Sequence, residues 1–475
     1  MGSNLKSAIT SRAMVVRLGA AAAYAAVVAV FVTIFPGETL ATTLLYSLIL
    51  LALAEGLYCS SSARCRAGEW LIFAVCLLLS VGDILNIYYF TTAFDSSPQL
   101  PHLQNTDAAT NYYVAYKFYT THYFSPPMNT TPIYRWLICS LWRVTGVTVA
   151  APIFVNSIFI AWAVIFSGLT ARNVMHDYRK STVVAAMGMT AAVCYYLNSG
   201  TIILKDAAVS LAVAMMAFAF SHLRSGLSGK RNLVIAYVSL VVGGVLLSLF
   251  RVNYILPVAI GAVLLTPWTS PRRWHGIVMI AVCGLLWLST EHFFPSGSIS
   301  FRVTTYVDGY GFGGAYFQQE TNRDIYYGIY GGDYFRLPIW KKILFAPAGA
   351  AVQFLSPFPW NFARDAVFGP TLVWGHISYP WYAVGGLVLF FLFFLWWRAD
   401  IDIRLWALWG VIFWLVPVYM FAGAVSRYAL PVLPVLVPLA LTSWRSRRKK
   451  SFKVFSVVYL VFLTAALVSA YLVQN

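Results

Sequence analysis

The sequence predicts an all-α polytopic membrane protein of about 13 transmembrane helices, with further helices lying at one membrane face. Composition is the first reason: 60% of the residues are hydrophobic, 10% are charged, and the mean hydropathy is +0.72. An ordinary soluble domain carries about a quarter charged residues. Second, apolar stretches of spanning length recur through all 475 residues. Third, the basic residues are sorted between the turns that join those stretches.

The apolar runs put spans at about 14–35, 39–58, 70–92, 148–170, 183–198, 207–223, 233–250, 254–268, 275–293, 380–397, 405–422, 429–443 and 454–473. Turns on one side then hold Arg64 and Arg66, Arg172, Arg179 and Lys180, Arg224, Lys230 and Arg231, Arg272 and Arg273, Arg398 and Arg404, and the cluster from Arg445 to Lys453. With the basic N-terminus, that side carries 21 Lys and Arg against 5 Asp and Glu, whereas the other carries 12 against 10. This is the positive-inside pattern, so the N-terminus is expected in the cytoplasm and the C-terminus outside. The net charge of +17 is therefore a topology signal, and membrane lipids, not nucleic acid, are the expected surroundings.

The first run, Met14 to Phe35, shows no convincing cleavage site and reads as a retained span. The six cysteines lie in apolar runs or, as Cys59 and Cys65, in a short basic turn, with neither metal spacing nor a disulfide framework.

Residues 1–69 read as a structural hairpin with the outer turn Pro36-Gly37-Glu38. A transmembrane module follows at 70–293. Its first span holds Asp83 in Val81-Gly82-Asp83-Ile84, and an ionisable residue inside a span is costly and often functional. Asp83 is expected near the outer end, within reach of water, with a role in substrate handling. The outer loop at 94–147 is too long for a simple connector. After Asn105-Thr106-Asp107-Ala108-Ala109, the residues Tyr112, Tyr113, Tyr116, Tyr119 and Tyr123 recur near helical spacing around Lys117. That pattern suits a helix at headgroup depth. A break at Pro126-Pro127 leads to a second such helix, Pro132 to Thr145, carrying Arg135 and Arg143. An aromatic membrane belt explains most of the tyrosines. Asp107 itself has two readings, an acid favoured at a helix N-terminus or a chemical group.

The turn from Asn198 through Gly200 to Lys205 and Asp206 joins two spans on the outer face, where an adjacent Lys-Asp pair is not needed for folding. Two more outward cations end or begin spans: Arg251 in Phe250-Arg251-Val252-Asn253-Tyr254, and Arg427 in Ser426-Arg427-Tyr428. Each alone could be snorkelling to the surface. Together Lys205, Arg251 and Arg427 could clamp a phosphate or pyrophosphate. The segment 294–379 is rich in Gly, Tyr and Phe, with Arg302, Asp308, Glu320, Arg323, Asp324, Asp333 and Arg336. Counting Ile343 to Trp360 as a crossing would put the Arg445 to Lys453 cluster outside, so it reads as a re-entrant or interfacial helix. Residues 380–475 complete the bundle.

This layout, a span followed by an outer loop with an early Asp, two interfacial helices and then a hydrophobic bundle, resembles the GT-C glycosyltransferases. Those are polytopic enzymes that use polyprenyl-linked donors. Asp107-x4-Tyr112, Lys205-Asp206 and Arg251 also look like bacterial polysaccharide-assembly proteins, including Wzy-type polymerases. The resemblance covers roughly 70–450 in layout. It differs in one respect: the GT-C catalytic Asp usually follows the first span, and Asp107 follows the third, which implies an added N-terminal hairpin.

The resemblance implies a catalytic module at 70–293 in a bacterial inner membrane, with its active site facing the periplasm or cell exterior. Asp107 would be the general base, Lys205, Arg251 and Arg427 would sit near the lipid phosphate, and Asp206 would orient Lys205 or bind a sugar. Asp83, Tyr112 and Tyr428 would contact substrate. The partners would be a polyprenyl-phosphate or polyprenyl-pyrophosphate glycolipid and a glycan acceptor. A divalent metal, Mg or Mn, is compatible with this chemistry, but no ligand cluster calls for one. Two alternatives stand beside the transferase: a Wzy-type polymerase of polyprenyl-pyrophosphate-linked repeat units, and a lipid-glycan transporter.

Overall fold

The computed structural model describes residues 2–35, 39–96, 107–121, 132–193, 196–197, 200, 202–203, 205–225, 230–251, 254–270, 272–293, 340, 379–421 and 430–474. Among these there is no strand. The helices are α1 (Gly2–Ile34), α2 (Leu40–Ser60), α3 (Arg66–Ser96), α4 (Asp107–Thr121), α5 (Pro132–Thr145), α6 (Ala150–Val174), α7 (Lys180–Ala192) and α8 (Asp206–Ser225). They continue with α9 (Lys230–Phe250), α10 (Ile255–Leu265), α11 (Arg273–Phe293), α12 (Tyr379–Phe390), α13 (Ile401–Phe421), α14 (Leu433–Arg445) and α15 (Lys450–Gln474). Helix α12 runs on as a π-helix, Phe391–Leu395, and a 3-10 turn, Trp396–Arg398.

A helix lies on every stretch read as a span, and α4 and α5 lie where the two loop helices were expected. Among the described residues, nine helices are long and apolar enough to cross a membrane. Helices α7, α10 and α14 are shorter, at 13, 11 and 13 residues. The segment 341–378, with the expected re-entrant helix, lies outside the described residues, as do Arg427 and Tyr428.

The bundle is centred on α8, whose spanning stretch is buried throughout, packed between α6 and α9. Its face is largely Ala and Ser, Asp206-Ala-Ala-Val-Ser-Leu-Ala-Val-Ala, so neighbouring backbones come close, which is how helices associate where no water drives them together. A Cβ on Gly243 of α9 would stand 2.9 Å from the Ala212 carbonyl oxygen of α8. Helices α1 and α15 are peripheral, mostly exposed to the surroundings.

One end of the bundle is basic. The turns after α2, α6, α8, α10, α12 and α14 meet there through polar contacts. Arg64 and Arg17 share Glu69 at 2.6 and 3.3 Å, and Arg172 donates to the Ser62 hydroxyl. Asp402 at the start of α13 takes Arg224 at 2.5 Å and faces His176 at 3.3 Å. Asp177 takes both Arg179 and Arg445, and Arg272 donates to the Ser225 carbonyl. The turns that the charge count grouped on one side therefore share one end of the molecule.

The hydrogen bond from Arg179, with those from Thr182 and Arg445, holds the Asp177 carboxyl below the ordinary carboxylate range, against partial burial. For Asp402, burial opposes the charge, but Arg224 and His176 outweigh it and the net shift is downward.

Candidate functional site

The other end carries those of the singled-out residues that are described, among them Asp83, Tyr112, Lys205, Asp206 and Arg251. Helix α7 stops at Ala192, six residues before the expected end of its span, and the chain reaches α8 only at Asp206. Asn198-Ser199-Gly200-Thr201 gives the local reason, because these residues favour turns over helix. Gly200 is also required for space: a Cβ there would lie 2.9 Å from Ile160 Cγ1.

Unwound backbone inside an apolar bundle needs hydrogen-bond partners. Side chains supply them. Asn156 Nδ2 on α6 donates to the Ile202 carbonyl at 2.7 Å, and Asn111 Nδ2 on α4 to the Ile203 carbonyl at 3.3 Å. Ser157 Oγ lies 2.8 Å from Asp83 Oδ1 and 3.4 Å from the Gly200 carbonyl oxygen. Asn156 also donates to the Tyr134 hydroxyl at 2.8 Å, and Arg135 Nε donates to Asn111 Oδ1 at 3.3 Å. Tyr134 packs edge-on against Phe250, the residue before Arg251. Arg135 is 2% exposed, and Asp83 and Asn156 are fully buried.

Asp206 opens α8, where the helix N-terminus favours its charge, and its Oδ1 accepts from Arg251 Nη2 at 3.1 Å. Both side chains are buried. Burial pushes the Tyr134 hydroxyl well above the usual phenol range, against its hydrogen bond from Asn156, and the nearby Asp206 carboxylate adds to the upward shift. Tyr134 is therefore a neutral hydroxyl.

Each expected site residue can now be placed. Asp206 and Arg251 come together as an ion pair, so Asp206 orients Arg251. Lys205 is half-buried in the turn, its carbonyl accepting from Val209 N. Asp83 is not within reach of water: it is fully buried, Ser157 of α6 meets its Oδ1, and its Oδ2 has no hydrogen-bond partner among the described residues. Tyr112 packs edge-on against Trp142, ring centres 5.1 Å apart, and with Tyr119 ties α4 to α5. Residue 107 begins α4, and its side chain lies outside the described residues.

The sequence reading missed Asn111, Tyr134, Asn156 and Ser157 as site residues. A signal was present for two of them, since Asn156-Ser157 is an adjacent polar pair in the middle of an apolar run. Among the described residues no three His, Cys, Asp or Glu side chains gather to hold a divalent metal.

No family model, no curated protein and no solved structure matches this chain. Its function must be argued from its own residues.

Proposed function

We propose that the chain is a GT-C-type membrane glycosyltransferase. It moves a sugar from a polyprenyl-phosphate-linked donor to a glycan or lipid-linked acceptor on the outer membrane face, in cell-surface polysaccharide assembly. The observation that carries this reading is the pair of hydrogen bonds at Asn111, which accepts from Arg135 and donates to the Ile203 carbonyl. Asn111 is one helical turn from residue 107, a rise of about 6 Å, so the start of α4 is tied to the segment that leads into Lys205 and Asp206, the carboxylate that pairs with Arg251. A carboxylate-bearing helix end and a cation-bearing segment then share one end of the bundle.

In this reading Asp107 takes the acceptor hydroxyl's proton as its oxygen attacks the anomeric carbon, the geometry of an inverting transfer. The bond from that carbon to the phosphate oxygen breaks, and its electron pair leaves with the phosphate. Lys205 and Arg251, with Arg427 from outside the described residues, stabilise that charge. Asp206 fixes the Arg251 fork, while Asp83, Tyr112 and Tyr428 contribute to substrate handling. Thirteen crossings with a cytoplasmic N-terminus would put this end outside by the positive-inside rule, and the GT-C resemblance implies a bacterial inner membrane.

A second reading, transport of a lipid-linked glycan, draws on Asp83: a buried acid with one oxygen unpartnered among the described residues, beside an interrupted helix, suits an ion-coupled carrier. One assay separates the readings. Purified protein is given a polyprenyl-phosphate sugar with acceptor, or a polyprenyl-pyrophosphate oligosaccharide. Sugar transfer from the first supports the transferase, and chain extension from the second alone replaces it with a Wzy-type polymerase. No product from either, with glycolipid crossing the bilayer in proteoliposomes, replaces it with a transporter.

A further inference from the structure

A cavity of about 390 Å³ lies at the basic end, between the lower part of α12 and α15, far in sequence from the candidate site. It is open rather than enclosed, and Phe394, Val454, Phe455, Val458, Lys450 and Ser451 line it. Its shape follows from how the two helices pack. Towards the middle of the bundle they touch: a Cβ on Gly386 would lie 2.5 Å from the Tyr459 ring, and the Tyr459 hydroxyl donates to the Tyr382 carbonyl. Towards the basic end α12 widens into the π-helix Phe391–Leu395, a form that concentrates at functional positions. There Phe390 and Phe394 stack on each other and meet Phe452 and Phe455 of α15 edge-on or tilted, filling the space between the helices with rings.

The surroundings identify the occupant. The walls are aliphatic and aromatic, and Phe393 and Trp397 stand exposed beside them, as residues facing lipid do. The mouth is cationic. Arg445 is committed to Asp177, Arg447 lies over the Trp444 ring, and Arg404 caps the Ala399 and Trp397 carbonyls. No salt bridge among the described residues engages Arg448, Lys449, Lys450 or Lys453, all of them exposed. The nearest acids in sequence are Asp400, exposed in the turn after α12, and Asp402, already held by Arg224. An apolar slot with a surplus of cations at its rim matches one acyl chain joined to one negative headgroup, and a basic cluster at the end of an apolar helix favours anionic lipid.

We propose that this groove is a binding site for an anionic phospholipid. An acyl chain lies against Phe394, Val454, Phe455 and Val458, the phosphate is held at Lys450 and Ser451, and Lys449 and Lys453 add attraction. A zwitterionic lipid fills the same slot without that attraction. The site stands independently of the catalytic reading.

Native mass spectrometry of the purified full chain in detergent tests this, with phosphatidylglycerol, phosphatidylcholine and glycerol 3-phosphate as probes. One phosphatidylglycerol should be retained, at least tenfold more tightly than phosphatidylcholine. Val454→Trp, which fills the slot, should weaken it at least tenfold. Lys449→Gln and Lys450→Gln should each cost about fivefold, the worth of one charge near a lipid surface. Val457→Trp, exposed on the same helix but outside the cavity lining, should bind as the parent does. Equal retention of the two phospholipids would overturn the proposal, as would parent-like binding by Val454→Trp. So would equal loss in Val457→Trp, or displacement by glycerol 3-phosphate at matching concentration.

Discussion

Removing the Arg251 guanidinium leaves the Asp206 carboxylate buried at the head of α8 with its charge uncompensated. The two side chains are 8% and 4% exposed and 3.1 Å apart, so this is an interior pair rather than a surface one. Breaking such a pair from one side costs about 3–5 kcal/mol. The helix N-terminus returns about 0.5–1 kcal/mol to a lone Asp206. Arg251→Met should therefore destabilise by about 2–4 kcal/mol. Asp206→Asn removes the same ion pair from the other side and should cost a similar amount. The double variant should recover most of the loss, because replacing a buried pair by neutral groups of similar volume is often close to neutral.

Reversible unfolding in mixed detergent micelles reads these differences, and the double-mutant cycle isolates the pair. Donor-lipid binding by the same variants then separates structure from function. If Arg251 also faces the lipid phosphate, the double variant regains stability but not donor affinity. A loss below about 0.5 kcal/mol in both single variants, the usual scatter of surface substitutions, would refute the buried-pair reasoning. Full donor affinity in the folded double variant would remove Arg251 from the phosphate site.

Asp107→Asn should abolish glycosyl transfer while insertion and thermal stability stay unchanged, and near-parent turnover would take Asp107 out of the mechanism. Ser157→Ala removes the donor to Asp83 and should cost about 1–3 kcal/mol, measured by the same unfolding assay, because it leaves a buried acceptor unsatisfied. At the basic end the Asp177 carboxyl is held below its unfolded value, so its contribution is present above about pH 4 and lost as pH falls towards its folded value. Thermal stability scanned downward from pH 7 should fall more steeply in the parent than in Asp177→Asn, and identical slopes would show that the Arg179 and Arg445 contacts carry no linkage.

The helices were legible because apolar runs of spanning length leave few alternatives, and the sorting of Arg and Lys among the turns was legible because each turn is short. The Pro126-Pro127 break and the tyrosine spacing delimited α4 and α5 closely. What sequence could not supply was which polar residues face inward. Arg135 reads as an exposed cation on an amphipathic helix, and only packing against α4 turns it into the residue that holds Asn111. Asp83 reads as water-accessible from its expected place near the outer end of a span, but it is fully buried against Ser157 of α6. Asp206 has Lys205 beside it in sequence, yet the next helix brings Arg251 to its carboxylate. Each miss has the same physical origin: a tertiary contact made by a segment far along the chain outcompetes the local neighbour.

The two ends of the bundle solve different problems with different chemistry. At the basic end Glu69, Asp177 and Asp402 each collect two basic partners, in places where water reaches many of the groups. Such pairs add little stability singly, but they register one turn against the next. At the opposite end unwound backbone is buried, and an unsatisfied carbonyl there costs more than an exposed ion pair returns. Neutral donors are the economical answer: Asn111 and Asn156 satisfy the segment without adding charge to the interior. Because those donors stand on α4 and α6, the segment carrying Lys205 and Asp206 is positioned by two rigid helices instead of by its own flexibility. A site that must meet a charged lipid head needs that rigidity, since fixed dipoles and cations stabilise developing charge only when they need not reorganise.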